Sequence, residues 1–205
     1  MQIVVIDYGM SNLGSISNAL SECGADDVIV SADPKDLKLA THIILPGVGS
    51  FKDGMDNLVG SGFKDAIREA VLTDKVPILG ICLGMQLMAD KGYEGGEVEG
   101  LGLVAGEVDK LQPTSKQEKI PHVGWNEVYP KQKNCLFDGI PDGTDFYFVH
   151  SYHFIPKKKS NILSATPYCG GFVSSISSEN IYGTQFHPEK SQRPGFQILK
   201  NFIQL

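Results

Sequence analysis

The stretch Val76-Pro77-Ile78-Leu79-Gly80-Ile81-Cys82-Leu83-Gly84-Met85-Gln86 decides the fold. Val76 to Ile81 is an apolar run of strand length entered through a proline, the pattern of a strand buried on both faces of a parallel sheet. Met85 to Ala89 reads as a helix. Between them, Gly80-Ile81-Cys82-Leu83-Gly84 has the Gly-x-Cys-x-Gly spacing of a nucleophile elbow, with sulfur in place of a serine oxygen. A residue thrust out on so sharp a turn needs small neighbours, because a Cβ there collides with the adjoining strand or helix. The positive end of the helix lies beneath the sulfur and favours a thiolate, and the Leu83 amide points where an oxyanion forms. The competing reading is a buried structural cysteine.

Working upstream, Gln2 to Asp7 reads as a strand that ends in the polar turn Asp7 to Asn12, and Asn12 to Cys23 reads as a helix with Leu13, Ile16, Leu20 and Cys23 on one stripe. Val28 to Val30 is a second strand, Asp33-Pro34 opens a brief helix, and Thr41 to Leu45 is a third strand leaving through Pro46-Gly47-Val48-Gly49. A helix follows at about Gly62 to Thr73. Strands alternating with helices imply a parallel sheet wrapped by helices, an α/β fold. The working site of such a sheet lies beyond the carboxyl ends of its strands, which puts Tyr8 to Asn12, Pro46 to Gly49 and Cys82 on one edge.

Downstream the texture changes. Glycines crowd Gly92 to Gly106, and strands are expected at Val104 to Leu111, Asn126 to Tyr129, Asp145 to His153, Ile162 to Thr166, Phe172 to Ser177 and Ile181 to Gln185. This C-terminal sheet portion reads as largely antiparallel and packed against the first sheet. A closing helix at about Pro194 to Ile203 offers Phe196, Leu199, Phe202 and Ile203 as its buried stripe.

A chain of 205 residues suits one domain spanning 1–205. Its formal charge of -6 argues against a nucleic-acid surface, and Lys157-Lys158-Lys159 reads as a solvated turn. No stretch has the length of a membrane span, and the opening residues lack the features of a signal peptide, so a cytoplasmic protein is expected. Cys23, Cys82, Cys135 and Cys169 have no paired spacing, so neither a disulfide framework nor a metal site is indicated.

A thiolate that attacks an amide or ester needs a proton carrier, and the carrier needs a third group to hold its tautomer. Gly183-Thr184-Gln185-Phe186-His187-Pro188-Glu189 sets His187 at a strand end, with Glu189 two residues on and turned back beside the ring. Cys82, His187 and Glu189 are therefore the candidate triad. The other four histidines have blander readings: His42 as a packed strand residue, His122 in a turn, and His150 and His153 on an alternating strand with one of them inward.

Together, Gly-Ile-Cys-Leu-Gly-Met-Gln around Cys82 and Phe186-His187-Pro188-Glu189 resemble the class I (triad) glutamine amidotransferases, a family with a flavodoxin-like sheet. Pro46-Gly47-Val48-Gly49-Ser50-Phe51, Pro121-His122-Val123-Gly124-Trp125-Asn126 and Phe148-Val149-His150-Ser151-Tyr152 are similar to its branch of glutaminase subunits of imidazole glycerol phosphate synthases. The first loop departs from that branch, with Ser11 where a glycine is common. The resemblance implies that Cys82 attacks the side-chain amide of glutamine and that His187 and Glu189 handle the proton. It implies an oxyanion hole from the amides of Leu83 and the Gly47-Val48-Gly49 strand, with Gln86, Ser151 and Tyr152 holding the substrate's amino-acid end. It also implies a heterodimer with a (β/α)8-barrel cyclase subunit that receives the ammonia, contacted through Asn12, Trp125, Asn126, Tyr147 and Lys190, and no cofactor. Alternatives are a paralogue that feeds ammonia to surface-polysaccharide sugar synthesis, and a stand-alone cysteine hydrolase of the same fold.

Overall fold

A computed structural model describes residues 1–205. A nine-stranded sheet runs through it, built from β1 (Ile3–Ile6), β2 (Val28–Ser31), β3 (His42–Leu45), β4 (Ile78–Ile81), β8 (His122–Pro130), β9 (Thr144–His150), β11 (Ile162–Thr166), β12 (Phe172–Ser178) and β13 (Ile181–Thr184). Their order is β2-β1-β3-β4-β13-β12-β11-β8-β9. The first five are parallel neighbours and the last four continue the ladder antiparallel. Strands β12, β11, β8 and β9 thus extend the first sheet edge to edge, and the expected packing against that sheet is made by β7 (Gly106–Lys110) and β10 (Tyr152–Pro156), whose Val108 and Phe154 share a core with Ile176 and Ile181. A separate four-stranded sheet has the order β10-β7-β5-β6, from β5 (Lys91–Gly92), β6 (Val98–Glu99), β7 (Gly106–Lys110) and β10 (Tyr152–Pro156).

Side chains alternate across each strand, so apolar runs of four feed two cores. Val4, Ile6, Ile43, Leu45 and Ile78 face α2 (Phe51–Gly60), α3 (Phe63–Arg68) and α4 (Leu83–Leu87). Ile3, Val5, Ile44, Leu79 and Ile81 face α1 (Leu13–Glu22) and α5 (Gln192–Ile203). Burial on both faces is the reason these strands read as continuous apolar runs. No helix is long and apolar enough to cross a membrane.

Three expectations need correction. Helix α2 comes before the helix expected at about Gly62 to Thr73 and is not among the expected elements; it is capped by Ser50, whose side chain accepts from the Asp53 amide. The expected strand Asp145 to His153 is two strands: β9 pairs with β8 in the large sheet, and after Ser151 β10 pairs with β7 in the small one. In α5 the buried stripe runs through Ile198, Leu199, Phe202 and Ile203, with Phe196 only half-buried.

Candidate active site

Strand β4 delivers Cys82 beyond its carboxyl end, where φ is 54° and ψ is -109°, a sparsely populated region for a side-chain-bearing residue. The strain is held by its surroundings, at a cost of order 1–3 kcal/mol. The Cys82 amide donates to Thr184 O at 2.7 Å in the neighbouring β13. The flanking glycines are obligatory: a Cβ on Gly80 would sit 2.7 Å from the Met85 nitrogen, and one on Gly84 would enter the Leu45 carbonyl. Leu83 opens α4, where backbone N–H groups have no intrahelical acceptor.

The chain end of β13 brings His187 to the same edge. Nδ1 of His187 is 2.8 Å from Glu189 Oε1, and both side chains are buried, at 3% and 2% exposure. A carboxylate oxygen can only accept, so Nδ1 carries the hydrogen and Nε2 is left for another group. Nε2 is buried without a hydrogen-bond partner, while Cys82 Sγ lies 3.8 Å from Val149 O and receives Gln185 Nε2–H at 3.6 Å. Thiol and imidazole line the same cavity. Burial opposes protonation of His187, yet the neighbouring Cys82 and Glu189 outweigh it and push the ring up to about 10.

A cavity of about 390 Å³ opens over these groups, lined by Val48, Gly49, Cys82, Leu83, Gln86, Glu94, Ser151, Tyr152 and His187 among others. It has the size of a small-molecule site. Its Pro46–Gly49 wall is pinned. Tyr8 Oη donates to Pro46 O at 2.8 Å and the Val48 amide donates to Met10 O at 2.8 Å. Burial, with the Cys82 charge adding to it, pushes the Tyr8 phenol far up, so it stays a donor. Tyr8 is buried and turns inward, unlike the exposed Asn12 that follows in the same loop.

Trp125, Tyr147 and Lys190 form one surface cluster: the two rings meet edge to face at 6.0 Å, and Lys190 Nζ stands 6.0 Å from the Tyr147 ring centre. Asn126, half-buried, follows Trp125 in β8 and turns to the opposite face, toward His122. Three groups at or behind the cavity were not among the candidate site residues. Gln185 bridges Gln86 and Cys82, and its position two before His187 on a strand was the available signal, since alternate residues share a face. Glu94 accepts from the Phe51 amide at 3.0 Å at the start of α2; burial raises its pKa, with that amide pulling the other way. No local pattern marks it within the glycine-rich stretch.

His150 is the third. His122 and His150 are paired residues of β8 and β9, His122 lying in the strand and not in a turn. Both are buried, and burial lowers them to about 4 and about 3 respectively. Native pKa values below the unfolded value of about 6.5 mean that the unfolded chain binds more protons, so stability is present above that pH and is lost as pH falls from about 6.5 toward 4. Urea unfolding between pH 7 and 5 should lose up to about 1.4 kcal/mol per unit for each ring. The His122→Phe, His150→Phe double variant should show a shallower slope.

The fold and this site together define the class I glutamine amidotransferases, whose family model matches residues 4–205. Imidazole glycerol phosphate synthase subunit HisH 1 of Campylobacter jejuni (strain RM1221) is 49% identical over 204 residues, 99% of this chain and 100% of that protein. The HisH subunit of Moorella thermoacetica is 49% identical over 99% of this chain and 94% of its own. A chain from the structure of PurLQS from Thermotoga maritima superposes with a TM-score of 0.75 at 18% identity, covering 99% of this chain and 97% of that one, which is a likeness of fold. The chain belongs to the class I glutamine amidotransferase family, on its branch of glutamine-hydrolysing HisH subunits.

Proposed function

We propose that this chain releases ammonia from glutamine through Cys82, His187 and Glu189 and passes it to a (β/α)8-barrel cyclase partner, which forms imidazole glycerol phosphate in histidine biosynthesis. The observation that carries the reading is the buried His187–Glu189 pair, with Nε2 unengaged, in one cavity with a strained elbow cysteine. Cys82 sulfur adds to the side-chain amide carbon of glutamine, and the C–N bond breaks as His187 gives its proton to the departing nitrogen. A glutamyl thioester and ammonia result. Water, losing a proton to His187, then splits the thioester to glutamate and restores the thiol. Glu189 stays ionised and keeps the ring's tautomer and orientation.

The Leu83 amide is one oxyanion donor, and the Gly47-Val48-Gly49 strand supplies the other after it moves. Its Val48 amide is engaged by Met10 O as it stands, a resting conformation that keeps the glutaminase slow until the partner and its acceptor are bound. Gln86, Ser151 and Tyr152 hold the amino-acid end, and Glu94 pairs with the substrate ammonium. Asn12, Asn126 and the Trp125, Tyr147 and Lys190 cluster form the docking surface; Trp125, at 47% exposure, is the kind of aromatic that anchors interfaces.

A diazo-ketone analogue of glutamine tests this directly. It should modify Cys82 with saturation kinetics, and Glu94→Gln should raise the half-saturating concentration by loss of the ammonium contact. Peptide mapping that finds the label on Cys23, Cys135 or Cys169, with Cys82 untouched, would overturn the assignment.

A further inference from the structure

The two buried histidines outside the triad are joined in a chain whose every proton can be assigned. The Tyr152 carbonyl accepts from His150 Nδ1 at 2.8 Å. A carbonyl has no hydrogen to give, so Nδ1 of His150 carries the proton and its Nε2, in the neutral ring, must accept. The group 3.0 Å from that Nε2 is His122 Nδ1, which is therefore the donor. His122 Nε2 in turn accepts from Asn126 Nδ2 at 3.3 Å. Both rings are neutral with the hydrogen on Nδ1, and a further proton on either would set N–H against N–H.

The inner end of the chain reaches the cavity. The same Tyr152 carbonyl accepts from Gln86 Nε2 at 2.9 Å, and the second hydrogen of that amide goes to Gln185 Oε1 at 2.9 Å. Gln185 then points its own Nε2 at Cys82 Sγ at 3.6 Å. With both Gln86 hydrogens held by protein, Oε1 is the atom of that amide left to accept from a ligand in the cavity that Gln86 lines. A free amide side chain has two flipped orientations; this one is fixed by the carbonyl that His150 holds. At its outer end the chain stops at half-buried Asn126.

From this connectivity we infer that His150, held in one tautomer by His122, is a positioning residue for the glutamine site: it anchors the Tyr152 carbonyl and through it sets Gln86 as an acceptor for substrate. The inference rests on the glutaminase reading for the identity of the ligand, but not for the hydrogen-bond chain. The phenyl ring of His150→Phe fills similar space with no donor, whereas the amide nitrogen of His150→Asn falls near the place of Nδ1 and restores it.

The experiment measures inactivation of the full chain by the diazo-ketone glutamine analogue, beside modification by iodoacetamide, which needs no recognition. His150→Phe should raise the half-saturating concentration of the analogue about tenfold while iodoacetamide reacts as in the unsubstituted chain, and His150→Asn should recover to within about threefold. An unchanged half-saturating concentration in His150→Phe, or equal impairment in both variants, would overturn the inference. Failure of the unsubstituted chain to saturate with the analogue would overturn the glutaminase reading instead. Imidazole ¹⁵N spectra of the unsubstituted chain at neutral pH keep the test independent of folding of the variants. They should show both rings neutral with Nδ1–H, and an Nε2–H tautomer for His150 would refute the chain.

Discussion

His187→Ala should lower glutamine-dependent synthesis by the complex roughly a thousandfold and leave synthesis from added ammonium salt within about twofold of normal. The size follows from the two jobs of one ring, which protonates the leaving nitrogen and later takes a proton from water. No second base lies in position to substitute: the cavity's other histidine, His150, has Nδ1 engaged by a carbonyl and Nε2 by His122. The alanine variant has a side effect that must be separated from the chemistry. Glu189 Oε1 would lose its partner in a buried place where Oε2 already has none, and removing one member of a buried pair costs about 3–5 kcal/mol. His187→Asn keeps an N–H near the position of Nδ1 and spares most of that cost, yet supplies no proton carrier. It should therefore be as inactive with glutamine as the alanine variant and closer to normal in unfolding midpoint. Loss of the ammonium-dependent reaction in the asparagine variant would mean that His187 is needed for structure or docking.

How much of this could be read in the sequence depends on whether the governing contact is local. The strand, the elbow and α4 lie in one run of ten residues, Ile78 to Leu87, and Gly80 and Gly84 announce the close approach of strand and helix. His187 and Glu189 are two apart, so their pairing is also a local matter. Helix α2 carries Gly54 and Gly60, poor helix formers, although Phe51, Met55 and Leu58 form a helical stripe and Ser50 a cap. Gly54 is there for tertiary reasons: a Cβ would stand 3.1 Å from the Leu87 methyls of α4. Tertiary packing overrides helix propensity here.

The break between β9 and β10 had no local sign, since Phe146, Phe148, His150 and Phe154 keep one alternation through it. The change of sheet is dictated by which strand each half pairs with, and pairing is not a local property. The His122–His150 chain was hidden for the same reason. A histidine in a strand reveals its proton only when the register places another ring opposite it, 28 residues away in sequence. Fold class and the candidate nucleophile thus follow from short-range spacing, whereas the groups that orient substrate around it follow from topology.

The elbow's dependence on small residues yields the second large effect, Gly84→Val. Gly84 sits in the first turn of α4 with its Cα turned toward β3, and an added Cβ would enter the backbone carbonyl of Leu45. A flexible side chain could swing aside, but this carbonyl belongs to the last residue of a central strand fixed on both sides by β1 and β4. Relief can come only from pushing α4 off the sheet. That displaces the Leu83 amide and releases the constraint that keeps Cys82 at positive φ. Overpacking of this kind costs about 3 kcal/mol, occasionally more, which for a chain of this size is a fall of about 6–12 °C in unfolding midpoint. Gly14→Ala in α1 is the matched control, because a Cβ there meets nothing within 4 Å and alanine is the better helix former. Thermal unfolding should show opposite signs, with Gly14→Ala level or slightly raised and Gly84→Val sharply lowered. In whatever fraction of Gly84→Val stays folded at low temperature, the glutamine analogue should label Cys82 at least tenfold more slowly. A variant folded and labelled at the normal rate would mean that the helix can retreat without moving the thiol, and that the glycine serves packing alone.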